Sequence, residues 1–473
     1  MDNNCPAMRR LAELEAMLKQ ATERIKELEA RLKTDSSNSS KPSGSDGLGK
    51  KTHQRSIRKK SGRKPGGQKG HPGSGPEWSD NPDHVEPHAL NACPHCGVDL
   101  SVVEGRVVRR RQSTDIPPPG APKITEHQLV EKTCPHCGEK CVGEFPPDIN
   151  APTQYGPQLL TRAAYVNSAF QFVPLARASE LMEAFFLCKM STGTIVNAGK
   201  RLYENTEEPE KAIKEQLRGA AVLNADESPV RGPGGNHHIH FAGTERLSHL
   251  GFHKSRGDDA VKEIGILPEF KGTVVSDSYP LYDNYGKRNG ACGAHILREL
   301  NGVGLLMEGQ SWAIRMTDAI MSIKEAVDEA KAKGLDKLGT AKLAALSVKY
   351  DAAIKAGARQ NKVPLAGLEI GKRGAKKTKA VNLLARLHLK KDRVLLFAHD
   401  FSVPFDNNLA ERGVRMSKVK QKISGTFRGK DGGKIFCRIR SYVDTARKNG
   451  VSAFEAILNA FTGKPFMPTT NTS

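Results

Sequence analysis

Two short apolar runs, each meeting a lone aspartate, constrain this chain more than any other feature. The stretch "AAVLNADESPV" (220–230) reaches Asp226, and "GTVVSDSYPLYDNY" (272–285) stops at Asp277. A buried strand more often gives way to Gly, Asn or Pro, whose backbones suit turns. Between the two runs, "HHIHFAGTE" (237–245) and "LSHLGFHKS" (247–255) read as two strands with short linkers. "DDAVKEIGIL" (258–267) reads as a helix.

Three meandering strands, a helix and a fourth strand follow the order of a ribonuclease-H-like α/β fold. In that fold the first and fourth strands are neighbours. Asp226, ending the first, and Asp277, ending the fourth, would then sit side by side. Carboxylates held that close repel unless a cation lies between them. Their oxygens suit Mg²⁺ or Mn²⁺. Taken singly, either aspartate could merely cap a turn or a helix.

A metal clamp of this kind needs a third acid. In "VPFDNNLAERGVRMSKVKQKISGTFRG" (403–429), Asp406 or Asn407 can cap a helix carrying Glu411. Glu411 could instead pair with Arg415 at i,i+4, worth only roughly 0.2–0.5 kcal/mol. The basic tract that follows favours the catalytic role. Its Arg412, Arg415, Lys418, Lys420, Lys422 and Arg428 could hold DNA phosphates beside the metals. "CGAHILREL" (292–300) puts Cys292, His295 and Arg298 near the end of a fifth strand. A Cys and a His three apart could ligate metal, but two ligands do not make a zinc site. His295 reads equally as a polar group near a bound phosphate or as a structural histidine, and Arg298 as a DNA contact. His238 and His240 share a strand face with no supporting acid and read as structural.

Residues from about 308 to 395 are rich in Ala, Lys and Leu and read as a helical insertion between the last strand and the Glu411 helix. Within it, "GKRGAKKTKA" (371–380) is either a DNA contact or a solvated charge run.

The N-terminal third is built differently. Leu11, Leu14, Leu18, Ala21, Ile25, Leu28 and Leu32 keep a 3,4 spacing, the a/d seam of a heptad repeat. This predicts a coiled coil over 1–34 that joins copies of the chain. A single amphipathic helix docked on its own domain is the alternative. A Ser-, Asn- and Gly-rich linker follows, within a basic, disordered segment 35–85. From Lys50 to Lys69 it holds nine Lys and Arg, an arm suited to tracking phosphates, or else a solvated linker. "CPHCG" then occurs twice, at Cys93–Cys96 and Cys134–Cys137. Two C-x-x-C knuckles supply the four thiolates of a structural Zn²⁺, and each following Gly lets the backbone turn toward the metal. A zinc-ribbon-like domain over 86–150 follows from this. Residues 151–210 read as three helices, the last opened by a Ser/Thr cap, and suit a helix-turn-helix or a plain helical connector. Residues 215–430 form the core, and 431–473 a C-terminal helical segment and tail.

Composition agrees with a polyanion partner. The formal charge is +21 and the pI about 9.5, and Lys and Arg contacts release counterions from nucleic acid. An inert basic surface is the alternative. The N-terminus has no apolar signal region, and no run matches a membrane span, so a cytoplasmic protein without membrane contact is expected. The nine Cys are then mostly reduced, some of them binding metal.

Taken together, these motifs resemble the insertion-sequence-66 family of bacterial transposases over nearly the whole chain. "SSNSSKPSGSD", "GRKPGGQKGHPG" and the paired C-x-x-C match its N-terminal half, and "YGPQLLTRAAYV", "VPLARASELM" and "STGT" its helical segment. "NADESPV", "VSDSYPLY", "CGAHILREL", "DNNLAERGVR" and "SGTFRG" match its DDE core. The resemblance implies that Asp226, Asp277 and Glu411 are the catalytic triad. It implies metal-dependent cleavage and strand transfer at the ends of an insertion sequence, with accessory transposition proteins as further partners. Two departures stand out. Gly293 follows Cys292 where the family usually has an aromatic, and Ser278 follows the second aspartate where it commonly has Gly. A non-catalytic zinc DNA-binding protein and a nuclease that cuts without joining are the rival functions.

Overall fold

A computed structural model of the chain describes residues 6–32, 38, 78–116, 118–370 and 378–469. The basic arm over 50–69 and the tract 371–377 lie outside these residues. The chain divides into two units, one of residues 56–122 and one of residues 1–55 with 123–473.

The smaller unit carries the Cys93 knuckle. In the larger unit, α1 (Pro6–Leu32) is a single helix of 27 residues. Leu14, Leu18, Ile25 and Leu28 of its seam are exposed, at 51%, 69%, 56% and 44%. A two-stranded hairpin, β1 (Glu131–Thr133) and β2 (Lys140–Val142), then carries the Cys134 knuckle.

Four helices follow: α2 (Pro157–Ala164), α3 (Leu175–Phe186), α4 (Thr192–Asn205) and α5 (Glu207–Arg218). Ser191 opens α4 as the sequence predicts, its hydroxyl accepting from the Thr194 amide.

The central sheet has five strands: β3 (Val222–Gly232), β4 (Gly235–Gly243), β5 (Ser248–His253), β6 (Thr273–Ser276) and β7 (Arg288–Ala291). Their spatial order is β5-β4-β3-β6-β7. The first three form an antiparallel meander. After α6 (Asp258–Ile264), β6 returns parallel to β3, and β7 lies parallel to β6. The first and fourth strands are therefore neighbours, as the sequence order predicts. One expectation needs correction. The first strand does not end at Asp226, because its ladder with β4 continues to Gly232. Only its parallel pairing with β6 stops, at Asn224. Asp226 thus stands where β3 has lost its β6 neighbour.

Alternation along β3 sorts its side chains between two layers. Leu223 and Ala225 face α5 and α6, meeting Ile213, Leu217 and Val261. Val230 lies on the opposite face, with residues of two later helices, α13 (Asn408–Ser424) and α14 (Gly432–Lys448).

Between β7 and α13 the chain forms α7 (Gly293–Leu306), α8 (Trp312–Ala332), α9 (Thr340–Gln360), α10 (Lys379–Leu389), α11 (Lys391–Val394) and α12 (Leu396–His399). Trp312, Met316, Tyr350 and Leu384 are fully buried in a core that these helices share. The Ala-rich faces of α8 and α9 suit close packing. This is the helical insertion expected from composition. On the sheet, α13 passes so close to β4 that a Cβ at Gly413 would meet the Phe241 ring at 2.2 Å. The last helix, α15 (Ala453–Phe461), joins α14 and the helices α2 to α4 in one core around Met182, Ile195, Leu202, Tyr442 and Ile457. No helix among the described residues is long and apolar enough to cross a membrane.

Candidate active site

Asp226 and Asp277 stand at the same end of the parallel pair β3 and β6. Asp226 lies within β3 just past its last β6 partner, and Asp277 directly follows β6. Burial, Asp277, Glu227 and Glu411 together hold the Asp226 carboxyl well above the ordinary carboxylate range. Each aspartate does make the bland local bond: Asp226 Oδ1 accepts from the Glu227 amide at 2.8 Å, and Asp277 Oδ1 from the Tyr279 amide at 3.0 Å. The turn after Asp277 places Ser278 at φ +71°, the left-handed region that favours glycine.

Glu411 sits in the first turn of α13 and does not pair with Arg415. Its Oε1 accepts from Arg298 at 3.0 Å and lies 3.5 Å from His295 Nδ1. The other oxygens of Asp226, Asp277 and Glu411 make no hydrogen bond among the described residues. Three carboxylates from three elements each keep an uncommitted oxygen of the kind a hard divalent cation takes, although the three do not gather within 4.8 Å of one another.

Asn407 ties α13 to the sheet. Of the two candidate caps, Asn407 holds the cap position but its side chain makes no cap bond, whereas Asp406 Oδ1 accepts from the Asn408 amide at 3.0 Å. Asn407 Oδ1 instead accepts from Asn224 Nδ2 at 2.8 Å, and its Nδ2 donates to the Ala225 carbonyl at 2.8 Å. Asn224 and Ala225 directly precede Asp226, so this buried clasp fixes the Glu411 helix against the Asp226 strand. The Asn407 amide also donates to Cys292 Sγ at 3.1 Å.

The fifth strand ends earlier than expected, at Ala291. Cys292 precedes α7, and His295 and Arg298 lie on its first two turns. Burial pushes the Cys292 thiol up to about 12, so it stays protonated. Burial and the Arg298 charge pull His295 below its ordinary value. Gly293 has a packing reason, since a Cβ there would meet the Phe405 ring at 2.3 Å. Phe405 thus fills the space at the position where the family usually has an aromatic.

Glu227 was missed by sequence reasoning. Its side chain is 1% exposed. Tyr282 donates to Oε2 at 2.6 Å and Arg256 Nε to Oε1 at 2.8 Å, while the Arg256 guanidinium stacks 4.0 Å from the Tyr279 ring. Burial raises the Glu227 pKa, partly offset by Tyr282 and Arg256. The only signal was its place beside Asp226 in a strand, where alternation sends the two side chains to opposite faces.

The basic residues of α13, with Arg428 just past its end, divide. Arg412, Arg415, Lys422 and Arg428 are exposed. Lys418 is half-buried and donates to the Pro229 carbonyl, and Lys420 lies over the Phe172 ring. Burial lowers the pKa of both lysines. The insertion is docked beside the site by ion pairs of Asp283 with Lys390 and Arg393, and of Glu299 with Arg386.

Both zinc knuckles have one geometry. The Cys93 amide donates to the Val98 carbonyl at 2.8 Å, and the Gly97 amide to the Cys93 carbonyl at 2.9 Å. Cys134, Glu139 and Gly138 repeat these bonds at 2.8 and 2.9 Å. Gly97 and Gly138 both have φ +75°. Backbone amides of His95 and Cys96 pull the Cys93 thiol below its ordinary value, and those of Cys137 and His136 do the same for Cys134. N–H groups aimed at sulfur favour thiolate, the metal-binding form, so each knuckle by itself suits zinc.

Residues 91–138, which span both knuckles, match the zinc-finger binding domain of transposase IS66. Residues 152–435 match the transposase IS66 family, and residues 5–77 match a family of unknown function. No curated protein matches the chain. A zinc finger followed by this α/β core defines a transposase. The chain belongs to the IS66 transposase family.

Proposed function

We propose that this transposase binds the ends of its insertion sequence and cleaves and joins DNA strands in a ribonuclease-H-like core. The observation that carries the reading is the strand register. It sets Asp226 just past the last β3–β6 pair and Asp277 directly after β6, with Glu411 near enough to raise the proton affinity of Asp226. These three residues would hold Mg²⁺ or Mn²⁺. Such a cation supplies a Lewis acid that activates water or a DNA 3′-hydroxyl and offsets charge on the leaving oxygen.

The chain's own residues position the DNA. Arg412, Arg415 and Lys422 on α13, and Arg428 just past its end, stand in solvent, free to take backbone phosphates. Lys418 and Lys420 reach DNA only by leaving their present contacts. His295 and Arg298 flank Glu411, where a phosphate beside the metals would meet both. Helices α2 to α4 serve as a helix-turn-helix. Cys93, Cys96, Cys134 and Cys137 hold one structural zinc. The heptad helix pairs copies of the chain, and the protein works on cytoplasmic DNA, with accessory transposition proteins as further partners.

The test is Asp277→Asn on a duplex carrying the element's end, with Mg²⁺ and at equal DNA occupancy. Cleavage should fall by roughly three orders of magnitude or more, since a metal clamp acts as a unit, while binding stays within a few-fold. Were Asp277 only accepting from the Tyr279 amide, Asn would serve as well. A variant that cuts within a few-fold of wild type would refute the metal role.

A further inference from the structure

A second set of donors converges on Glu411. Cys292 Sγ, His295 Nδ1 and a Glu411 carboxylate oxygen all lie within 4.8 Å of one another. No other trio of His, Cys, Asp or Glu among the described residues gathers in this way. His295 Nδ1 stands 3.2 Å from the sulfur and 3.5 Å from Oε1. Around a tetrahedral zinc with bonds of about 2.0–2.3 Å, ligand atoms sit about 3.3–3.6 Å apart. Both spacings from His295 therefore already lie near these values, and the sulfur and the carboxylate oxygen are within 4.8 Å.

Three elements hold the donors in place. The Cys292 amide donates to the Ser276 carbonyl at 2.9 Å, which fixes the start of α7 against β6. His295 follows in the first turn of α7. Glu411 stands in the first turn of α13, whose entry Asn407 clasps to β3. Outer partners are present too. The Asn407 amide points at the sulfur from 3.1 Å, and Arg298 donates to Glu411 Oε1. Such contacts orient ligands and tune their basicity.

We propose that Cys292, His295 and Glu411 form a binding site for a thiophilic divalent cation of the zinc class, and that filling it withdraws Glu411 from the cleavage metals. The second half rests on the reading of Glu411 as a catalytic ligand; the first half does not. Thiolate and imidazole donors select zinc-class ions over Mg²⁺, which prefers oxygen. On binding, the thiol proton passes to solvent, and thiolate and carboxylate together offset the two charges of the ion. Three protein donors leave a fourth position for water, so this ion exchanges, unlike one closed in by four thiolates. Zinc-class ions would thus act as a reversible brake on a DNA-cutting centre.

The test uses full-length protein dialysed against a weak chelator, which strips an open three-donor site and leaves a closed four-thiolate one filled. Titration with Co²⁺ should then raise a thiolate-to-cobalt charge-transfer band that saturates at one ion per chain. Cys292→Ser should abolish that band, and His295→Gln should weaken cobalt binding at least tenfold, each with wild-type circular dichroism. Asp226→Asn, outside the trio, should keep the band. No band in wild type, a band that survives Cys292→Ser, or one lost in Asp226→Asn overturns the proposal. Should Cys292→Ser fail to fold, unchanged cobalt affinity in His295→Gln overturns it alone. The readout involves no DNA, so its failure is distinct from retained cleavage by Asp277→Asn.

Discussion

Asp226 is held where its ionised form is unwelcome. Burial and three neighbouring carboxyls raise its proton affinity in the folded state. The folded chain then holds this proton more tightly than the unfolded one. Stability from this group is greatest at low pH and declines as pH rises above the unfolded value near 3.8. At higher pH an ionised Asp226 carboxylate is buried beside three other carboxyls, so removing the charge should stabilise the metal-free protein. Asp226→Asn is expected to raise its stability by about 1 kcal/mol, the order found when a strained functional site is relieved. It should also abolish the stabilisation that Mg²⁺ gives the wild type. Calorimetry with and without Mg²⁺ checks both, and a lowered melting temperature with an intact Mg²⁺ response would count against the carboxylate cluster. At this scale the sequence was partly legible. An apolar run stopping at an acid marks Asp226 and Asp277, because nothing apolar explains the acid. Glu227 was hidden because its partners Tyr282 and Arg256 are brought to it only by the fold. The departure at Ser278 was visible, but the positive φ that makes glycine suitable there was not.

The elements were more legible than their junctions. Meander, helix and parallel return could be read from alternation and short linkers, and strand adjacency followed from them. The ends could not. β3 runs on past Asp226 because β4 continues to pair with it, a long-range fact. The helix after β7 begins at Cys292 without a Ser, Thr, Asp or Asn cap, so no local signal separated it from a strand. Asn407 looked like a cap because Asn caps well, yet its side chain serves the sheet. Replacing it tests that role. Asn407→Ala removes two buried hydrogen bonds and leaves Asn224 unsatisfied, a loss of about 2–4 kcal/mol. Chemical denaturation should show it. Cleavage should fall more than DNA binding, because the Glu411 helix loses its anchor beside Asp226. Equal losses in both would mean that Asn407 only supports the fold. The knuckles were legible outright, since C-x-x-C followed by Gly leaves little else to build. Purified protein should carry about one zinc per four thiolates, and Cys134→Ser should release it. Metal analysis that finds zinc unchanged in the variant would refute the four-cysteine site.

At the scale of the whole molecule, sequence distance concealed one fact: α2 to α4 and α14 to α15 share a core although the entire sheet and insertion lie between them. Periodicity reports which face of a helix is apolar and never what covers it. The same limit applies to α1, with an opposite outcome. Its seam is regular, and in the single chain Leu14, Leu18, Ile25 and Leu28 remain exposed. A helix gains most of its stability by burying such a face. A seam spaced 3,4 over the length of α1 matches a second copy of itself, knob into hole. Leu18 and Ile25 lie one heptad apart on that seam, so a double Leu18→Lys, Ile25→Lys variant would place two charges where they must be desolvated without partners. The variant is expected to lose self-association while its zinc content and the circular dichroism of its core stay at wild-type levels. Light scattering of both proteins at matched concentration decides the matter. A lower mass for the variant supports pairing through α1, whereas an unchanged mass would mean that copies associate elsewhere or that the wild type is already monomeric.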